Sequence, residues 1–147
     1  MNEIIKTYER DQEILKAYLT AKEAGDQAGM QKASEDHDEF TAENEGKSWE
    51  FNLACRLYSS MKERGNDYID FCDTIEDAKV PVFIEYLRKQ GFKYFTFSST
   101  WSSAVETAWI FVNAGCSLKG LIQINGQYKN FMGNDYEKAP AYLFTID

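Results

Sequence analysis

The apolar residues of this chain keep a helical period as far as Gly65, and beyond it strand-like runs alternate with helical ones. That change limits the fold more than any other feature. A segment patterned at 3.6 residues must lie as helices, whereas short apolar and aromatic runs broken by turn residues read as strands. In the first part, Ile4, Tyr8, Leu15, Tyr18 and Leu19 share one face of a helix from about residue 3 to about 24, with Ile5 and Ile14 at its margins. Gly25 suits the C-terminal cap and Asp26 the next N-cap. A second helix follows, from Gln27 to about Asn44, with a thin stripe of Met30, Ala33, His37 and Phe40. Gly46 interrupts it. Ser48 caps a third helix carrying Trp49, Leu53, Leu57 and Met61, which Gly65 ends.

Beyond Gly65 the pattern reads as strands and two helices. "DYIDFCD" reads as a short strand, and "KVPVFIEYLRKQG" as a helix with Pro81 in its first turn. "FKYFTFS" is a strand and "SSAVETAWIFVNAG" a helix. Asn125-Gly126 has the composition of a type I′ hairpin turn. The expected strands are 92–98, 117–125, 127–132 and 141–146. The first two should pair in parallel through a right-handed crossover. The expectation is a single α+β domain over 1–147, helical over 1–65 and sheet-forming over 66–147. Its N-terminal part has two to three helices. A mixed sheet of four to five strands follows, with two helices packed on it. Tyr94, Phe95, Phe97, Trp109 and Phe111 have core spacing, and Trp109 should face the sheet with Val105 and Val112.

Charge is unevenly placed. The net charge is −8, and residues 1–50 carry 13 acidic and 6 basic side chains, leaving a near-neutral remainder. Such a balance disfavours direct contact with a nucleic-acid backbone and suits the basic surface of a protein partner. On the helical reading Glu9, Glu13, Glu35, Asp36, Glu39 and Glu43 are solvent-exposed partner-binding candidates. No apolar run approaches the ~20 residues of a membrane span, and the charged N-terminus has no signal-peptide core. The expected setting is the cytosol, with no membrane partner.

The hydroxyls of Ser98, Ser99, Thr100, Ser102 and Ser103 lie between a strand and a helix. They offer a small-ligand or anion site at a helix start. Against this, Ser103 and Glu106 form a capping box, and no glycines are present to let backbone close on a phosphate. Trp101, set among polar residues, is a partner-binding candidate. The three cysteines, Cys55, Cys72 and Cys116, read as reduced, partly buried thiols. His37 is the only histidine. Asp67, Asp70, Asp73, Glu76 and Asp77 lack the calcium-loop spacing, and the carboxylates around His37 point in several directions on a helix. No catalytic signature is present, so no enzyme activity, cofactor or metal is expected.

"FTFSSTWSSAVETAW", "NDYID", "DYEKAPAYLFTID" and the opening "ILKAYLTAKEAGD" together resemble a family of small acidic proteins, a domain of unknown function, from mobile genetic elements of gut anaerobic bacteria. The resemblance implies a context. Small acidic accessory proteins of such elements are often regulators or inhibitors of host defence nucleases. The functional expectation is a non-enzymatic protein-binding module, an acidic inhibitor of a nucleic-acid-handling defence enzyme. The alternative is a ligand sensor using the Ser98–Ser103 turn.

Overall fold

The computed structural model describes residues 1–72 and 75–147, so Asp73 of the carboxylate series lies outside it. The elements in chain order are α1 (Asn2–Glu23), α2 (Gln27–Glu45), α3 (Trp49–Arg64), β1 (Asp70–Phe71), a 3-10 turn (Asp77–Lys79), α4 (Val80–Lys89), β2 (Tyr94–Phe97), α5 (Ala104–Asn113), β3 (Cys116–Lys129) and β4 (Tyr136–Ile146). This is an α+β fold with three leading helices and a mixed four-stranded sheet. The chain divides into two compact units, Asn2–Arg56 and Leu57–Asp147 together with Met1, with the boundary inside α3.

In the helical unit the local signals act as the sequence implies. Asp26 accepts from the Gly29 N–H at 3.0 Å, and Ser48 accepts from the Phe51 N–H at 3.2 Å. Each gives an otherwise orphaned amide a partner. The packing of α1 on α2 departs from expectation. The buried contacts are small: Ala21 and Ala33 are buried, and a Cβ placed on Gly29 would stand 2.9 Å from the Ala21 Cβ. Close approach through small residues leaves the large ones at the margin. Ile4 is fully buried, but Leu15, Tyr18 and Leu19 are exposed.

In the sheet unit the strand order is β1-β2-β4-β3. β1 is parallel to β2, and β4 is antiparallel to both β2 and β3. The expected pairing of β2 with β3 does not occur, because β4 lies between them. They run in the same direction but share no hydrogen bonds. The expected turn at Asn125-Gly126 is also absent. β3 continues through both residues to Lys129, with a shift of register against β4 between Asn125 and Lys129, and the chain reverses over 130–135. Gly126 serves close strand approach instead. A Cβ there would meet the Glu137 carbonyl oxygen at 3.0 Å and the Ala139 Cβ at 3.2 Å. Residues 127–132 are accordingly not a separate strand.

The core is phenylalanine. Phe71, Phe83, Phe95, Phe111 and Phe144 are completely buried. Phe111 of α5 lies 4.9 Å from Phe95, 5.3 Å from Phe97 and 5.4 Å from both Phe71 and Phe144, between ring centroids. Phe83 of α4 meets Phe71 edge-on at 5.6 Å. These are favoured aromatic geometries, and they seat α4 and α5 on one face of the sheet. They also reverse the expected orientation of α5. Phe111 faces the sheet, while Trp109, Val105 and Val112 face outward. A phenyl ring fills the space among four other phenyl rings, and an indole at that point would overfill it.

Candidate functional site

The hydroxyl-rich turn is anchored from below by a carboxylate. Asp70, on β1, pairs across the sheet with Thr96 of β2. Its side chain is 1% exposed. It accepts from the Thr96 hydroxyl at 2.7 Å and from the Ser98 hydroxyl at 2.6 Å, and Arg64 at the end of α3 stands 3.5 Å away. Ser98 is thereby turned inward. Ser99 accepts from the Trp101 N–H at 3.2 Å. Thr100, Ser102 and Ser103 are exposed. Two of the five hydroxyls therefore hold the turn itself, and the buried charge nearest to them is negative.

The expected capping box is not formed. Ser103 occupies the N-cap of α5 with ψ of 4°, and its side chain makes no capping bond. A cap needs extended backbone at that residue for its oxygen to reach the amide two or three positions on. Here the chain enters α5 through a turn that is already nearly helical, with Ala104 N–H bonded to the Trp101 carbonyl at 3.0 Å.

The polar cluster behind this turn was not singled out as a unit from the sequence. Arg64 is 6% exposed and also donates to the Asn125 carbonyl at 3.3 Å. Asn66 grips the same residue twice, donating to its carbonyl and accepting from its N–H, both at 2.9 Å. The Asn125 side chain donates to the Arg64 carbonyl at 2.6 Å. This caps the outer edge of β3 at Asn125, a site otherwise open to pairing. The only sequence signal was the closeness of "ERGND" and "YID" in the chain.

A line of apolar residues stands open on α5. Trp101 is 66% exposed, Val105 72%, Trp109 63% and Val112 40%. Their spacing of four, four and three residues places them along one side of the helix and its lead-in turn. Leu118 and Leu121 of β3 are exposed as well. They pair with Phe144 and Tyr142 and so lie on the helix-covered face of the sheet. Of this group the sequence reading had marked only Trp101 as outward. At the hairpin tip Phe131 and Met132 are almost fully exposed, with Met132 at φ 65°.

The acidic candidates are on the helical unit. Glu9, Glu13, Glu35, Glu39 and Glu43 are exposed, and Asp36 is half-buried. Glu35 accepts from Gln31 at 3.1 Å, and Asp36 lies 3.9 Å from Lys32. Glu13 and Asp36 line one hollow together with Lys16 and Lys32, so charge there is partly offset. The unit is acidic all the same. Asn2–Arg56 holds 13 acidic and 7 basic residues, a balance of −6, against 11 and 9 for Leu57–Asp147, a balance of −2.

Reactive chemistry is thin. Burial pushes the Cys55 thiol up to about 11, helped by the Glu3 charge. Burial likewise holds Cys116 at about 11, against a smaller opposing effect of Arg88. Such thiols are poor nucleophiles at neutral pH. Among the described residues no group of three His, Cys, Asp or Glu side chains is placed to hold a metal. Nor, among them, is any helix long and apolar enough to cross a membrane.

A family model described as a domain of unknown function, DUF7698, matches residues 53–146. No curated protein and no solved structure matches the chain.

Proposed function

We propose that this chain, which belongs to the DUF7698 family of domains of unknown function, acts by binding another protein rather than by turning over a substrate. The observation that carries this reading is the exposed line of Trp101, Val105, Trp109 and Val112 along α5 and its lead-in turn. An isolated outward apolar residue is ordinary, but two tryptophans aligned with two valines mark a contact surface. Tryptophan is the residue most enriched among the anchors of protein interfaces.

The charge of the helical unit supplies the sign of the partner. A unit at −6 attracts a basic surface. Glu9, Glu13, Glu35, Asp36, Glu39 and Glu43 would steer that encounter, and Trp101 would anchor it. Basic protein surfaces large enough for this are typical of nucleic-acid channels. With the resemblance to mobile-element proteins of gut anaerobes, this narrows the proposal to an acidic inhibitor of a nucleic-acid-handling defence enzyme in the cytoplasm. The inward hydrogen bond of Ser98 and the carboxylate beneath it favour this reading over an anion sensor.

The test is capture of a partner, followed by association and dissociation rates at low and high salt. Reversal of Glu35, Asp36, Glu39 and Glu43 to Lys should slow association and flatten its salt dependence. Trp101→Ala should speed dissociation. Rates that are equal to wild type in both variants and indifferent to salt would refute the proposal.

A further inference from the structure

The reading of the chain as a protein binder leaves open what shape of partner the helical unit takes, and the α1–α2 pair carries an answer. The two helices close on each other through Ala21, Gly29 and Ala33. Their larger apolar side chains are left beside that seam. Ile14, Leu15 and Tyr18 of α1 face Ala33 and His37 of α2 across a groove of about 340 Å³, with Asp11 in its wall. Leu15 is 49% exposed and Tyr18 38%, and Leu19, one turn beyond Leu15, is 48% exposed. An amphipathic helix buries its stripe against a neighbour. Here the stripe begins with buried Ile4 and emerges into solvent by Leu15.

The missing neighbour has a definite chemistry. The backbone of both helices is internally bonded, so the groove offers no edge on which a strand could pair. Side chains at helical spacing are what it can receive. Asp11 lies in the wall, and Asp38, one turn past Ser34, is exposed on α2. Lys22, a turn past Tyr18, is the cation at the far end. A second copy of the unit would bring another balance of −6 against the first, and like charge opposes that pairing. An anionic membrane is opposed for the same reason.

We propose that the α1–α2 groove receives a basic amphipathic helix of the protein partner, with its apolar residues on Leu15 and Tyr18 and its Lys or Arg residues toward Asp11 and Asp38. This rests on the protein-binding reading above.

The experiment uses the full chain and two 18-residue peptides of leucine and lysine in equal composition. One has leucine at i, i+3, i+4 and i+7. The other alternates leucine with lysine and has no apolar helical face. Binding is followed by NMR shifts of the Ile14, Leu15, Leu19 and Val methyl groups. The helical peptide should bind at least tenfold more tightly than the alternating one, with the largest shifts at Ile14, Leu15 and Leu19. Leu15→Gln with Tyr18→Ser keeps the charge and should lower that affinity about tenfold, whereas Trp109→Ala should leave it unchanged. Circular dichroism and an unchanged unfolding midpoint would show the double variant folded. Equal affinity for the two peptides would overturn the proposal, as would shifts centred on Val105 and Val112 or an unaffected Leu15/Tyr18 variant. The protein-binding reading fails separately, through a captured partner whose rates ignore salt and the α2 charges.

Discussion

Phe111 touches four phenylalanine rings drawn from three strands, and that single side chain fixes the rotation of α5. Phe111→Ala should cost ~3–5 kcal/mol, the range for a buried large aromatic left as a cavity. Trp109→Ala should shift the denaturation midpoint little, because its ring is 63% exposed. Equal losses from the two would show that both sides of α5 are covered. From the sequence the two residues could not be ranked, since α5 carries apolar residues on every side and only one charge, Glu106. Periodicity locates a helix but cannot choose between two apolar faces. The cysteines give a second residue-scale prediction. A thiol raised from 9.0 to about 11 holds about a hundredfold less thiolate at pH 8. Alkylation of Cys55 and Cys116 at pH 8 should be about tenfold slower than that of a free thiol, since the higher nucleophilicity of a more basic thiolate offsets part of that factor, and should rise with pH up to about 11. Ordinary rates, measured by mass spectrometry of the labelled peptides, would contradict the burial of both.

At the scale of elements the helices were legible because their limits are set locally. The expected spans of 3–24 and 27–44 differ by at most one residue from α1 and α2. Each is set by a cap or a glycine a few positions away. Strand pairing was not legible, because the partner of β2 lies some 45 residues further on, in β4. Asn125-Gly126 misled for a physical reason. The pair that suits a turn also suits a clamped edge, with Asn66 bonded to the backbone of Asn125 and Gly126 admitting β4. Gly126→Ala should therefore destabilise through a clash with Glu137 and Ala139, whereas a turn glycine with φ > 0 would fail through strain. Asn66→Ala should cost ~1–3 kcal/mol by leaving the Asn125 N–H without its partner and its carbonyl with Arg64 alone. For the caps, Asp26→Ala and Ser48→Ala should each cost ~0.5–2 kcal/mol. Ser103→Ala should cost close to nothing, since its side chain caps nothing. A Ser103→Ala loss as large as that of Ser48→Ala, in chemical denaturation, would restore the capping box.

Over the whole molecule, charge and core are divided between two stretches of chain. The excess of acid was legible by counting, and so was the change from helix to sheet. The exposed face of α5 was not, because it depends on which ring the sheet accepts. The family match begins at Leu53 and the second compact unit at Leu57, so sequence and contacts mark nearly the same boundary. Residues 53–147 contain the four strands, α4, α5 and all five fully buried phenylalanines. They also contain the whole Arg64–Asp70–Thr96–Ser98 cluster and the Asn66 clamp on Asn125. A stretch of this size with its own core meets the conditions for independent folding. The fragment 53–147 should then unfold cooperatively in denaturant and give a dispersed amide spectrum. Within it, Asp70→Ala should cost ~3–5 kcal/mol, since removal of one partner leaves a buried charge unpaired. The same substitution in the full chain should cost the same within about 0.5 kcal/mol, as it does for sites without shared partners. A fragment without a cooperative transition, or an Asp70→Ala loss much larger in one context, would show that the first 52 residues are needed for the core of the sheet.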